Sequence, residues 1–193
     1  METREALCTR RSVRSYRPDP VPRDVLEDIL RSACCAPSAV NRQRWYFAAV
    51  QDPEQMTRLR EIMGRVSERF RPVLEQRYGT DRDSARQRET FLAGLGGAPV
   101  CVLAFLLEPE DTEQDRDGAM QSISAAIENL LLAAWDRGLG TCWMASPQRM
   151  GFGAELQRNF APGRGEFVAA ITLGYPGAIP EMPPRLEGRY TIV

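Results

Sequence analysis

Three arginines and one serine fall within five residues near the start of the chain. They form the segment Arg10-Arg11-Ser12-Val13-Arg14, which follows a short amphipathic stretch. A guanidinium can hold a phosphate through two parallel, charge-assisted hydrogen bonds, and a serine hydroxyl can add another. Two interpretations are open for this arginine segment on its own: a site for a phosphomonoester, or a solvated basic surface.

The chain has no histidine, and all 25 of its basic residues are arginine. Histidine triads, two-histidine metal sites and Schiff-base lysines are therefore excluded, and arginine is a poor proton donor because it stays protonated. The five cysteines lack metal-ligand spacing, so we predict no metal site. Any chemistry must use carboxylates, cysteine, tyrosine, water or a cofactor.

Length and charge exclude several classes of protein. A chain of 193 residues fits a single domain over 1–193, and its net charge of −1 gives no reason to expect nucleic-acid binding. We find no apolar run long enough to span a bilayer and no signal peptide, so we expect no membrane partner and a cytoplasmic location.

Hydrophobic periodicity predicts alternating helices and strands. The predicted helices cover residues 23–35, the stretch from Asp52, residues 117–137 and residues near 149–158, and the predicted strands cover 45–50, 99–107 and 166–173, with a strand or loop over 141–147. Residues 64–97 predict two helices with a break near Gly79-Thr80, and residues 108–117 predict an acidic loop. The tail over 178–193 cannot bury itself and should pack on its own body or on a partner chain.

Two further segments, which follow the arginine segment along the chain, are informative in combination with it. They are Ala36-Pro37-Ser38-Ala39-Val40-Asn41-Arg42-Gln43-Arg44-Trp45, and Gly138-Leu139-Gly140-Thr141-Cys142-Trp143-Met144 followed by Leu173-Gly174-Tyr175-Pro176. Together the three segments resemble the nitroreductase family of flavin enzymes. The resemblance implies an α+β fold with a central mixed β-sheet flanked by helices. It also implies an intertwined homodimer that binds FMN at two interface sites, with each tail embracing the other subunit.

The resemblance also implies a set of cofactor-binding residues. Arg10 and Ser12 would hold the phosphate and ribityl chain, and Arg14 would lie near N1 and O2 of the flavin, where its charge would stabilise the reduced form. The full set is Arg10, Arg11, Ser12, Arg14, Pro37, Ser38, Ala39, Asn41, Thr141, Met144, Ala145, Ser146 and Arg185. The stretch from Pro37 to Asn41 would come from the other subunit.

The implied activity is a ping-pong hydride transfer. NADH or NADPH would reduce the flavin at N5, and a small acceptor of the nitroaromatic or quinone type would then reoxidise it. No residue acts as a general acid in this scheme, which agrees with a chain that lacks histidine and lysine. The alternatives are a specialised flavin enzyme (a flavin-consuming benzimidazole synthase, a dehalogenase or a dehydrogenase) and a flavin-binding or redox-sensing protein without turnover.

Overall fold

The computed structural model describes residues 1–107 and 113–193. Within these ranges the strands are β1 (Trp45–Val50), β2 (Val100–Leu106), β3 (Gly140–Met144) and β4 (Glu166–Gly174). The helices are α1 (Thr3–Thr9), α2 (Arg23–Cys34), α3 (Pro53–Tyr78), α4 (Arg82–Gly94), α5 (Glu113–Asp136), α6 (Ser146–Arg149) and α7 (Gly153–Phe160), and two short 3-10 helices are η1 (Ala39–Asn41) and η2 (Leu95–Gly97).

The four strands form one sheet in the order β1-β2-β4-β3, and every neighbouring pair is antiparallel. The predicted α+β class is confirmed, but the prediction of a mixed sheet is wrong for the described residues. Their one parallel pairing is an isolated bridge between Ser12 and Thr141. The connections explain the arrangement. The α3–α4 hairpin returns the chain to the end of the sheet where β1 finished, and β4 fits between β2 and β3, antiparallel to both.

The core lies on both faces of the sheet. Strand β2 is buried along its whole length, and its side chains alternate between two clusters. Cys101, Leu103 and Phe105 pack with residues of α3, α4 and α7, whereas the residues between them pack with α2 and α5. Burial on both faces explains why β2 is a continuous apolar run in the sequence.

Most predicted elements are present, with shifted boundaries. The break near Gly79 is confirmed, since Gly79 ends α3 with a φ of 56°. The minor helix predicted near 149–158 is wrong as a single element: Gly151, at φ 79°, separates α6 from α7. Of the predicted acidic loop over 108–117, residues 108–112 lie outside the described residues and 113–117 belong to α5.

Hydropathy along the helices bears on the membrane prediction. Among the described residues, no helix combines the length and apolar character needed to cross a membrane.

Candidate functional site

The arginine segment belongs to an extended N-terminal strap, residues 10–17, that runs along one end of the sheet. Helix α1 ends at Arg10, and the backbone beyond it is hydrogen-bonded to three separate elements. The amide of Val13 donates to Thr141 O (2.9 Å), that of Tyr16 to Gly96 O (3.0 Å) and that of Arg17 to Tyr175 O (2.9 Å). These bonds fix the strap backbone and therefore the positions from which its arginine side chains extend.

The side chain of Tyr16 fixes the strap to the sheet. Its hydroxyl donates to Val13 O at 2.7 Å and shares a second hydrogen bond of 2.7 Å with Thr172 Oγ1. Burial raises the pKa of Tyr16 far above its usual value, so the phenol stays neutral. Tyr16 is thus a structural residue of the strap and a poor candidate for proton transfer.

Two glycines allow the strap to lie close to the sheet. A Cβ on Gly140 would come within 2.6 Å of Val13 Cγ2, and a Cβ on Gly96 would collide with the carbonyl of Arg14. Gly96 also has a φ of 63°, which side-chain-bearing residues rarely adopt. Only glycine fits both positions without displacing the strap.

The three arginines of the strap differ in their contacts. Arg10 Nε lies 3.3 Å from Glu128 Oε1, and Arg11 Nη1 donates to Arg10 O at 2.7 Å. Arg14 Nη1 donates to Ser12 O at 3.1 Å, and its guanidinium carbon lies 5.9 Å from the centroid of the Phe91 ring. Since a guanidinium carries five N–H donors, these contacts leave donors on each arginine for an anion.

The predicted residues of the third motif lie along β3 and the start of α6. Thr141 is buried and pairs with Ser12 of the strap, and Met144 packs in the core. Ala145 is exposed. Ser146 is buried, and within the described chain its Oγ has no hydrogen-bond partner. A buried hydroxyl without a partner is costly, so Ser146 marks a place where a ligand or water belongs.

The strap opens onto a groove of about 830 Å³, here called the α4 groove. Its lining comes from the strap, including Ser12 and Arg14, from α4, and from Gly96 and Gly97. The start of the tail, at Ala178 and Pro180, also contributes. The structure therefore brings the predicted residues Ser12 and Arg14 to a cavity large enough for a cofactor or a substrate.

The predicted segment from Pro37 to Asn41 lies elsewhere in the same chain. The amide of Ala39 donates to Ser122 Oγ of α5 at 3.0 Å, and the segment lines a small cavity that shares no residue with the α4 groove. Val40 and Asn41 have φ values of 44° and 57°, and the Val40 side chain is 83% exposed. An exposed β-branched residue in the left-handed region is a strained backbone of the kind found at ligand-binding sites.

Arg185 lies in the extended tail. It is exposed, and within residues 1–107 and 113–193 it makes no ion pair. Arg185 is also not among the residues that line the α4 groove. Six large apolar side chains of the tail are also exposed: Ile179, Met182, Leu186, Tyr190, Ile192 and Val193.

Sequence reasoning missed the residues that hold the strap in place. Neither Tyr16 nor Gly96 belongs to the three motifs, and Gly140 belongs to the third without an assigned role. No local pattern marks these residues, because their roles depend on contacts between distant parts of the chain.

Comparisons with known proteins place this geometry in a family. Residues 7–175 match the model of the nitroreductase family. The putative NAD(P)H nitroreductase YfhC of Bacillus subtilis is 28% identical over 191 residues, covering 97% of this chain and 92% of that protein.

Two solved structures share the fold over the full chain. A BluB-like flavoprotein from Clostridium difficile has a TM-score of 0.78 at 24% identity, covering 100% of this chain and 99% of that one. A nitroreductase with bound FMN from Bacteroides fragilis has a TM-score of 0.73 at 26% identity, with the same coverage. These matches confirm the resemblance carried by the three motifs and the enzyme class it implies, an oxidoreductase. The chain belongs to the nitroreductase family.

Proposed function

We propose that the protein is an FMN-dependent oxidoreductase that takes reducing equivalents from NADH or NADPH and delivers them to a small organic acceptor. One observation carries the proposal: a rigid strap presents Ser12 and Arg14 at the α4 groove, with Arg10 and Arg11 beside them. The name of the Bacillus subtilis relative and the FMN bound in the Bacteroides fragilis structure support it.

The residues at this end of the sheet fit FMN. The guanidiniums of Arg10 and Arg11 and the Ser12 hydroxyl form a donor set suited to one phosphomonoester. Within the described chain the Ser146 Oγ is a buried polar atom without a partner, and it follows closely after β3, whose Thr141 pairs with Ser12 of the strap. The sequence has no glycine-rich dinucleotide motif of the kind that FAD-binding folds use.

Each residue of the strap has a distinct role in this proposal. Arg10, Arg11 and Ser12 would bind the phosphate and ribityl chain, together with Arg185 from the tail. Arg14 would place a permanent positive charge beside the pyrimidine ring and stabilise negative charge there. When bound, FMN supplies the chemistry of accepting and passing on a hydride. Thr141, Met144, Ala145 and Ser146 would form the protein wall along the cofactor edge.

We further propose that residues 1–193 act as one domain in an intertwined homodimer. Pro37, Ser38, Ala39 and Asn41 lie away from the α4 groove in one protomer, so a second subunit would supply them. The exposed apolar residues of the tail favour dimerisation, because burying them against a second subunit removes apolar surface from water.

Spectroscopy of the purified protein tests the proposal. The protein should be yellow, should release FMN and not FAD on denaturation, and should lose its visible absorbance on anaerobic addition of NADH or NADPH. A colourless protein that binds no added FMN would refute the proposal. A yellow protein that neither reductant bleaches would instead favour the flavin-binding alternative without turnover.

A further inference from the structure

Helix α4 forms one wall of the α4 groove. Gln87 and Phe91, one helical turn apart, lie on the groove side, and Asp83 lies one turn before them. Arg86 and Arg88 flank this row and also line the groove. The wall thus carries two guanidiniums that the FMN-binding motifs do not include.

Some arginines of the α3–α4 hairpin are ion-paired and others are not, and among the described residues Arg86 and Arg88 belong to the second group. On α3, Arg71 pairs with Glu89 and Arg65 pairs with Glu155. Within the described chain, neither Arg86 nor Arg88 makes an ion pair or a hydrogen bond, although Arg88 is half-buried. The guanidinium donors of both arginines are therefore available to an anion that enters the groove.

The charge of Arg88 acts at the same place as the charges of the strap. Burial raises the pKa of the Cys142 thiol on β3, and Arg14, Arg88 and Arg10 each oppose that rise. Arg88 therefore lies close enough to β3 for its field to add to that of Arg14. Among the groove-lining residues Arg14, Arg86 and Arg88 face a single carboxylate, that of Asp83, so the groove has an excess of two positive charges.

We propose that Arg86 and Arg88 recognise an anionic group on the acceptor, so that the enzyme prefers acceptors carrying a carboxylate over neutral ones. This inference rests on the proposed function. The strap arginines account for the charge of the cofactor, and Arg86 and Arg88 are the further cations that line the α4 groove. Arginine suits the role because its planar fork matches a carboxylate.

The test compares 4-nitrobenzoate with 4-nitrobenzamide, which have nearly the same shape and differ by one charge. The readout is the ratio of kcat/KM for the acid to kcat/KM for the amide, in the FMN-loaded enzyme. We expect the wild type to favour the acid. Arg88→Gln should lower the ratio about five- to tenfold, as for a half-buried charge, and Arg86→Gln about two- to threefold, as for an exposed one.

Arg58→Gln provides the matched control. Arg58 is an exposed arginine of α3 that does not line the groove, so its loss changes net charge equally but should keep the wild-type ratio. Raising the salt concentration should lower the wild-type ratio and leave that of the Arg86→Gln, Arg88→Gln double variant nearly constant. Calorimetric titration with benzoate and benzamide, without reductant, should show the same preference independently of turnover.

Several outcomes would overturn the inference. One is a wild type that binds and reduces the acid and the amide equally well. Another is an unchanged ratio in both variants. If the variants are also reduced more slowly than the wild type by NADPH but not by NADH, the arginines belong to the reductant site. A third is a tenfold loss of FMN affinity in Arg88→Gln, which would assign Arg88 to the cofactor. Failure of the proposed function itself would look different, since the wild type would then bind no FMN.

Discussion

The backbone of Arg14 passes directly over Gly96, so closely that no side chain can stand at that position. The carbonyl of Gly96 in turn accepts the amide of Tyr16 at 3.0 Å. Gly96 thus supports the strap from one side while β3 supports it from the other. The position of the Arg14 guanidinium depends on a residue that carries no functional group.

Gly96→Ala should destabilise the protein and weaken FMN binding together. The new Cβ would meet the Arg14 carbonyl at a backbone with positive φ, and we expect a loss of about 2–4 kcal/mol in the free energy of unfolding. Urea denaturation measures it. Gly64→Ala in α3 is the control, because a Cβ there meets nothing within 4 Å and should raise stability by up to about 1 kcal/mol. Equal stability of the two variants would contradict the close approach of the Arg14 carbonyl to Gly96.

Arg10 and Arg14 should have separable effects on the cofactor. Arg10→Ala should mainly weaken FMN binding, by about ten- to a hundredfold for one lost charge-assisted contact. Arg14→Ala should lower the midpoint potential of the flavin, since about 2 kcal/mol of differential stabilisation corresponds to roughly 40 mV in a two-electron couple. FMN titration and redox titration of both variants measure these effects. An Arg14→Ala protein with weakened affinity and an unchanged potential would show that Arg14 does not lie beside the reducible ring.

Tyr16→Phe should loosen the strap without changing the volume of the core. The change removes the hydrogen bonds to Val13 O and Thr172 Oγ1, both in a buried setting, and should cost about 1–3 kcal/mol. Chemical denaturation measures the loss. Tyr46→Phe is the control: its ring packs against Arg164, and its hydroxyl makes no hydrogen bond to the described residues. If Tyr16→Phe lowers the free energy of unfolding no more than Tyr46→Phe does, the Tyr16 hydroxyl does not hold the strap in place.

Stability should fall in alkaline solution, in part through Cys101. Burial raises the pKa of this thiol from 9.0 to about 12. Above pH 9 the unfolded chain releases the proton and the folded chain retains it, so the folded state loses up to about 1.4 kcal/mol per pH unit from this group. Cys101→Ala should therefore show a shallower decline of unfolding free energy between pH 8 and pH 11. The other titrating groups contribute equally to both proteins, so parallel curves would contradict the prediction.

Charges introduced into the tail should disrupt the proposed homodimer. Leu186 and Ile192 are 71% and 92% exposed in one protomer, so within a monomer their replacement by aspartate would cost almost nothing. In a dimer that buries them, Leu186→Asp with Ile192→Asp should convert the protein to monomers in sedimentation velocity and release FMN. Methionine at both positions keeps the apolar surface and should keep the dimer. A wild type that sediments as a monomer with bound FMN would refute the arrangement.

The sequence predicted the elements better than their connections. Strand β1 was predicted with its observed bounds because Trp45 to Val50 is an apolar run between polar turns. The direction of the strands was not predictable from periodicity, which carries no information on whether α3 and α4 form a hairpin. That hairpin makes β2 antiparallel to β1, and β4 is antiparallel to both β2 and β3; local patterns show none of these pairings.

The motifs identified the arginines and Ser12 but not what holds them. The strap depends on Tyr16, Gly96 and Gly140, which approach it from distant parts of the chain. Similarly, nothing in the sequence around Val40 indicates a left-handed backbone at a β-branched residue. Such positions are set by tertiary contacts that override local preference.

The hydrogen bonds of the strap also constrain the order in which the protein folds. Its partners on β3 and after β4, Thr141 and Tyr175, are more than a hundred residues away in the chain. Contacts at such separation form late, because the intervening chain must be ordered first. During synthesis the arginines leave the ribosome before β3 and β4, yet they cannot reach their positions until both strands have been made and paired. FMN binding should therefore occur only after the fold is complete.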